Sequence, residues 1–242
     1  MKLGAISDVH ANLEALTAVL NFFRQEGVDQ VISLGDVVGY GPDPEACIEL
    51  LQQAQAKVVA GNHDWGTLGK TPISHFNHLA VAALKWTQKR LKPEHLLFLS
   101  SLPLTMNLNS LHLVHASPSA PQNWEYIFTI EEAFSELRAC PFEICLVGHT
   151  HRPLIVEKPP IGPVRTIPTP AFSLQPDARY LINIGSVGQP RDGDPRACCA
   201  LIDLKEKRAS FHRIPYDILT TQKKMFTFGL PRPLIERLEL GI

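Results

Sequence analysis

The first 65 residues constrain the fold most, because short apolar runs alternate there with segments of helical spacing. "KLGAIS" reads as a buried strand, "NLEALTAVLNFFRQEG" as a helix, "QVISLG" as a strand, "DPEACIELLQQA" as a helix and "AKVVAG" as a third strand. Asn12 stands at the N-cap of the first helix, Gly27 at its stop, and Pro44 near the first turn of the second. A β-α-β-α-β order implies a parallel sheet with right-handed crossovers.

The rest of the chain reads less regularly. Residues 75–100 are expected to be helical in two pieces divided by Pro93. "LTMNLNSLHLVHA" reads as a hairpin turning near Asn109-Ser110, and "TIEEAFSELRAC" as a helix with Thr129 and Glu132 in capping-box spacing. "FEICLVG" is another buried strand. The Pro-rich stretch 157–178 reads as a loop or edge hairpin. "RYLINIGS", "ACCALIDL" and "RASFHRIP" are expected as antiparallel strands, and the last 25 residues as weakly helical. The expectation is one domain over 1–242, parallel half first and antiparallel half second.

Five of the apolar runs end in polar residues of one chemical kind. "GAIS" leads to Asp8-Val9-His10, "VISLG" to Asp36, "KVVAG" to Asn62-His63-Asp64, "LHLV" to His115, and "ICLVG" to His149-Thr150-His151. In open α/β sheets, ligands bind beyond the carboxyl ends of the strands. Here those ends carry carboxylates, an amide and five of the ten His, donors suited to Mn, Fe, Zn, Ni or Co. In an extended segment residues i and i+2 share a side, so Asp8 with His10, and His149 with His151, can each address one centre. Asp36, the lone carboxylate at its strand end, is the natural bridge between two ions. Any one of these residues alone reads as a turn or capping residue; together they do not.

Composition narrows the alternatives. Net charge is −1, which argues against a long nucleic acid or an anionic membrane as partner. No apolar stretch suits a signal or a membrane span, so a cytoplasmic location is expected. The five cysteines show no C-x-x-C and read as reduced, buried thiols.

"DVH", "GDVVGYGP", "GNHD", "VHAS" and "GHTH" occur in the order and spacing of the calcineurin-like metallophosphoesterases, which this chain resembles from residue 1 to about 190. "SDVHANLEAL", "LGDVVGYGPDPEACIELL" and "INIGSVGQPRDGDPRA" further resemble a bacterial subgroup of small single-domain members related to diadenosine tetraphosphatases. The resemblance implies an α/β fold, a four-layer α/β/β/α sandwich of two mixed sheets flanked by helices. It implies two divalent ions, manganese first, with Fe, Zn, Ni, Co or Mg as alternatives. Asp8, His10, Asp36 and His151 would hold one ion; Asp36, Asn62, His115 and His149 would hold the other. A metal-bridging hydroxide would attack phosphorus in line. His63 would serve the leaving group, and Asp64 would orient the His63 ring.

Two departures from the family pattern stand out. Ala11 follows "DVH" where Gly is usual, which suits backbone that is not left-handed. "GDVVGYGP" lacks the arginine of protein phosphatases, which favours a small phosphorylated substrate, monoester or diester, nucleotides included. Arg191, Tyr40 and Asn12 are the candidate substrate-binding residues. The alternative for Arg191 is pairing with Asp192 or Asp194, and for Asn12 the helix cap alone. His112, His75, His78, His95 and His212 are not expected as ligands, and Trp65 is expected to pack beneath its loop. Oligomeric state is open, a homodimer included. A non-catalytic, metal-binding interaction scaffold of the same fold is the alternative function. Such members lose ligands, whereas every position is retained here.

Overall fold

In the computed structural model, which describes residues 1–242, the opening alternation is present. β1 (Lys2–Ile6), β2 (Gln30–Ser33) and β3 (Lys57–Val58) run parallel, joined through α1 (Leu13–Gln25) and α2 (Pro44–Gln53). Asn12 caps α1, its Oδ1 accepting the Ala15 amide at 3.1 Å. The buried stripe Ala15, Leu16, Val19, Leu20 and Phe23 has the spacing of one helix face. Pro44 fills the first position of α2, where no amide hydrogen is needed.

After β3 the chain enters a short helix, α3 (Asn62–Thr67), at once. α4 (His78–Arg90) and α5 (Pro93–Ser101) divide at Pro93. β4 (Thr105–Leu108) and β5 (Leu111–Val114) form the hairpin, with Asn109 turning at φ 53°. The capping box of α6 (Ile130–Ala139) is closed: Glu132 N donates to Thr129 Oγ1 at 3.1 Å, and Thr129 N to Glu132 Oε2 at 2.9 Å. Then come β6 (Ile144–Val147), β7 (Leu154–Lys158), β8 (Arg165–Thr166), β9 (Ala171–Ser173), β10 (Arg179–Asn183), β11 (Ala197–Asp203) and β12 (Arg208–Ile214). α7 (Ile218–Thr227) and α8 (Arg232–Leu240) complete the chain.

Two mixed six-stranded sheets result, ordered β3-β2-β1-β11-β12-β9 and β4-β5-β6-β10-β7-β8. The expected division into a parallel half and an antiparallel half does not hold. β1 has buried residues on both faces and needs a ladder partner on each edge; β2 supplies one in parallel, β11 the other antiparallel. β10, expected to be antiparallel throughout, pairs antiparallel with β7 but parallel with β6. Its carboxyl end therefore points the same way as that of β6.

Packing gives four layers. Leu16, Val19 and Phe23 of α1 with Ile48 and Leu51 of α2 cover the first sheet. Leu3, Ala5, Ile32, Leu113, Ile182 and Ile202 fill the space between the sheets. Leu137 of α6 packs with Val147, Val156 and Leu181 on the outer face of the second sheet. All five cysteines are buried free thiols, as expected. No helix is long and apolar enough to cross a membrane.

Candidate metal centre

The ends of β1, β2, β3, β5 and β6 deliver their polar residues to one place. Asp8, His10 and His151 form one cluster of donor atoms and Asp36, His115 and His149 a second, the atoms of each lying within 4.8 Å of one another. Asp36 touches both. Its Oδ2 is 3.6 Å from His10 Nε2 and 3.4 Å from His115 Nε2. Asn62 Oδ1 lies 3.2 Å from His115 Nε2, on the side of the second cluster.

The backbone reaches this arrangement differently from the extended-strand expectation. Asp8, His10, Asp36, His149 and His151 all have φ between 47° and 66°. The chain turns left-handed as it leaves β1, β2 and β6, and i, i+2 alternation no longer applies there. Asp8 and His10 still meet, Asp8 Oδ1 standing 3.7 Å from His10 Nε2. His149 and His151 part, one to each cluster. Ala11 is left-handed as well, at φ 53°, contrary to the condition under which its methyl is free of strain. Its amide donates to Val37 O at 2.9 Å, and its carbonyl accepts from Asp43 N at 3.0 Å, which holds it there. The glycines of "GNHD" and "GHTH" are required by close approach. A Cβ on Gly61 would stand 2.1 Å from Asp36 Oδ1, and one on Gly148 1.9 Å from Ser7 Oγ.

The hydrogen bonds leave lone pairs facing inward. Nδ1 of His10, His115 and His151 sits against a backbone carbonyl, of Val38 (3.2 Å), Leu34 (2.7 Å) and Gln189 (2.6 Å). A carbonyl can only accept, so each Nδ1 carries the hydrogen, and a neutral ring turns a bare Nε2 to the centre. His10 Nε2 and His151 Nε2 then face each other at 3.1 Å. Each carboxylate is divided the same way. Asp8 Oδ2 takes Ser7 Oγ at 2.6 Å and His149 N at 3.0 Å, while Oδ1 is buried without a hydrogen bond. Asp36 Oδ1 takes His63 N at 2.8 Å, while Oδ2 faces the histidines.

Acceptors gathered in a buried space call for positive charge. Burial works against it, yet His151 and His10 hold Asp8 well below the carboxylate range, and His115 and His63 do the same for Asp36. Against its own burial, His115 is pushed up to about 9 by Asp36 and Asp8. His149 is pushed down to about 3 by burial and by His115, and His151 to about 4 by burial and by Arg191. Oxygen and imidazole donors in two joined clusters, with the far side of three rings fixed on carbonyls, fit divalent ions.

Asp64 does not have its expected contact. Its carboxylate makes no bond to the His63 ring, whose buried Nδ1 has no partner. Instead it accepts the amides of Asp36 (2.9 Å) and Gly61 (2.9 Å) on Oδ2, and of Val37 (3.0 Å) and Val38 (3.2 Å) on Oδ1. The left-handed turn at Asp36 exposes a run of amides, and a carboxylate at the third position of α3 lies in reach of all four. The ring of His63 is held by packing, 4.4 Å from Tyr40, 4.9 Å from His10 and 5.2 Å from Phe76 between centroids.

Arg191 follows β10 and reaches the centre. Its expected alternative partners are taken: Asp192 pairs with Arg213, and Asp194 with Arg196 and Arg213. Arg191 donates to Gln189 Oε1 from Nη2 at 2.8 Å and lies 5.7 Å over the Tyr40 ring. Arg237 of α8 donates to the same oxygen at 3.2 Å. Tyr40 is buried beneath Met225, Leu234 and Leu238 and 4.6 Å from His10. Asn12 is spent on structure, with Oδ1 capping α1 and Nδ2 donating to Gly188 O at 2.9 Å.

The remaining histidines stay outside. His112 bonds Asn107 and stacks on Phe142, His95 pairs with Glu49, and His212 bonds Ser210. His75 and His78 lie on the exposed surface. Trp65 packs edge-on against Trp124 at 5.4 Å. Sequence reasoning missed Tyr126, stacked on His149 at 4.0 Å, and Arg237. Aromatic alternation in "WEYIF" was a signal for the first; nothing in the sequence ties Arg237 to a loop 48 residues away.

A two-sheet α/β/β/α sandwich with this donor set at its strand ends defines a metal-dependent phosphoesterase. Residues 1–207 match the family described as the Calcineurin-like phosphoesterase superfamily domain, and the chain belongs to it. It is similar to a metallophosphoesterase of known crystal structure from Sphaerobacter thermophilus, with 42% identity and a TM-score of 0.86 over 100% of this chain and 99% of that one. It is also 39% identical to an uncharacterised protein of Methanocaldococcus jannaschii, across 99% of this chain and 98% of that protein. Phosphodiesterase YfcE of Escherichia coli is 24% identical over 81% of this chain and 84% of its own.

Proposed function

We propose that this chain hydrolyses a small phosphoester at a centre of two divalent ions, by in-line attack of water activated there. Asp8, His10, Asp36 and His151 would hold one ion, and Asp36, Asn62, His115 and His149 the other, with Asp36 shared. The facing Nε2 atoms of His10 and His151, 3.1 Å apart with both rings anchored on carbonyls, carry this reading. Ions bound there supply activation of the attacking water and neutralise charge on the phosphoryl oxygens. Manganese suits the mixed imidazole and carboxylate set, with Fe, Zn, Ni, Co or Mg as alternatives.

The chain's own groups do the rest. His63 serves the leaving oxygen, from a ring held by Tyr40, His10 and Phe76. Asp64 fixes the turn that carries Asp36. Arg191, free of any carboxylate, binds an anionic part of the substrate. α7 and α8 lie beyond the family match, yet cover Tyr40 and bring Arg237 to Gln189, which supports reading 1–242 as one domain. The name of YfcE, a phosphodiesterase, supports a diester substrate. The test is turnover of bis-p-nitrophenyl phosphate against p-nitrophenyl phosphate after loading with each metal. A preference for the diester with manganese is expected; no turnover of either ester with any metal would overturn the proposal.

A further inference from the structure

We propose that Tyr126 and Phe128 form a stacking platform for the base of a nucleotide whose phosphate lies at the metal centre. This rests on the phosphoesterase reading and adds the substrate class.

The segment before α6 alternates. Trp124 and Ile127 are buried, while Tyr126 and Phe128 are 48% and 55% exposed. Ile127 enters the core beside Val114 and Val147, the last residues of β5 and β6. Trp124 Nε1 donates to Thr71 Oγ1 at 3.2 Å, and Phe128 N to Glu132 Oε2 at 2.8 Å. The segment is therefore fixed at both ends, with two large apolar rings left in solvent.

Those rings continue the centre. Tyr126 stacks on His149 with centroids 4.0 Å apart and planes 19° from parallel. Phe128 stacks on Tyr126 at 5.1 Å and 9°. Three near-parallel rings run outward from a candidate metal ligand and end in an open aromatic face. Exposed apolar patches rimmed by polar groups mark binding sites. This one begins on His149 and its open face lies two ring spacings out, steps of 4.0 and 5.1 Å, so a base on it is joined to the reacting phosphorus across the sugar. Parallel planes suit a flat ring rather than an alkyl chain, and stacking on an aromatic face accepts any base. Arg191, whose amide donates to His151 O at 3.2 Å and whose guanidinium lies 5.7 Å over the Tyr40 ring, supplies the cation for the phosphate end.

The test is equilibrium binding of AMP and of ribose 5-phosphate to the metal-loaded protein, ligands that differ only in the base. AMP is expected to bind about 10-fold more tightly. In Phe128→Ala, a change at an exposed ring, that ratio should fall toward one, while Phe128→Tyr should keep it. Equal binding of the two ligands by a protein that hydrolyses bis-p-nitrophenyl phosphate would overturn the platform and leave the phosphoesterase reading standing. Absence of both binding and hydrolysis would overturn the two together. A ratio unchanged in Phe128→Ala would also remove the platform.

Discussion

Asp64 holds Asp36 by the backbone: its Oδ2 accepts the Asp36 amide at 2.9 Å, while Asp36 Oδ1 in return accepts the His63 amide at 2.8 Å. The two loops are thus latched to each other through their acids. Only an ionised Asp64 can accept all four of its amides. Asp64→Asn turns an NH2 toward two of them and should cost about 3 kcal/mol of stability, read by urea unfolding. An unchanged midpoint with an altered pH profile of turnover would restore the ring-orienting role.

The His63 ring makes no hydrogen bond to either cluster: only its backbone amide donates, to Asp36 Oδ1 at 2.8 Å, while the ring packs on His10 with a nitrogen within 4.8 Å of donor atoms of His10 and Asp36. His63→Ala should keep its metal and lose ~10²–10⁴-fold in kcat. Metal content by elemental analysis and single-turnover rates separate the two effects. Loss of metal in step with rate would make His63 a ligand instead.

Arg191→Ala should raise KM by roughly 10–100-fold with a smaller change in kcat, the scale of one charge-assisted bond. Arg191→Lys should recover part of it, since a point charge replaces a fork. An unaltered KM on a turned-over nucleotide ester would remove Arg191 from substrate binding.

Glu132 ties the cap of α6 to Phe128. The amides of Thr129 and Phe128 hold its carboxyl below the ordinary 4.5. Its contribution is therefore complete above that value and is lost as pH falls through the lower folded value. Glu132→Ala should lower Tm at pH 7, and the gap to the unaltered protein should close below pH 4.5. A gap that persists in acid would mean that lost packing, not charge, is responsible.

The donors were legible because parallel strands must end somewhere, and here each apolar run stops at Asp, Asn or His. The direction in which each donor points was not. It depends on left-handed φ at Asp8, His10, Asp36, His149 and His151, which alternation along a strand does not encode. The sheet partners of β1 and β10 were hidden for a related reason, since β11 returns from nearly 200 residues away. Arg237 and Gln189 meet through the packing of α8 over Tyr40, a tertiary fact with no local pattern.

The most direct measurement compares the unaltered chain with Asp36→Asn. The amide can keep the bond to His63 N through Oδ1 and removes only the charge that faces both clusters. Metal content and hydrolysis of bis-p-nitrophenyl phosphate are read on the same preparations. Two bound ions with turnover in the unaltered chain, and loss of both metal and turnover in Asp36→Asn, are expected. Full turnover by Asp36→Asn, or by the metal-free protein, would contradict a metal centre built on Asp36.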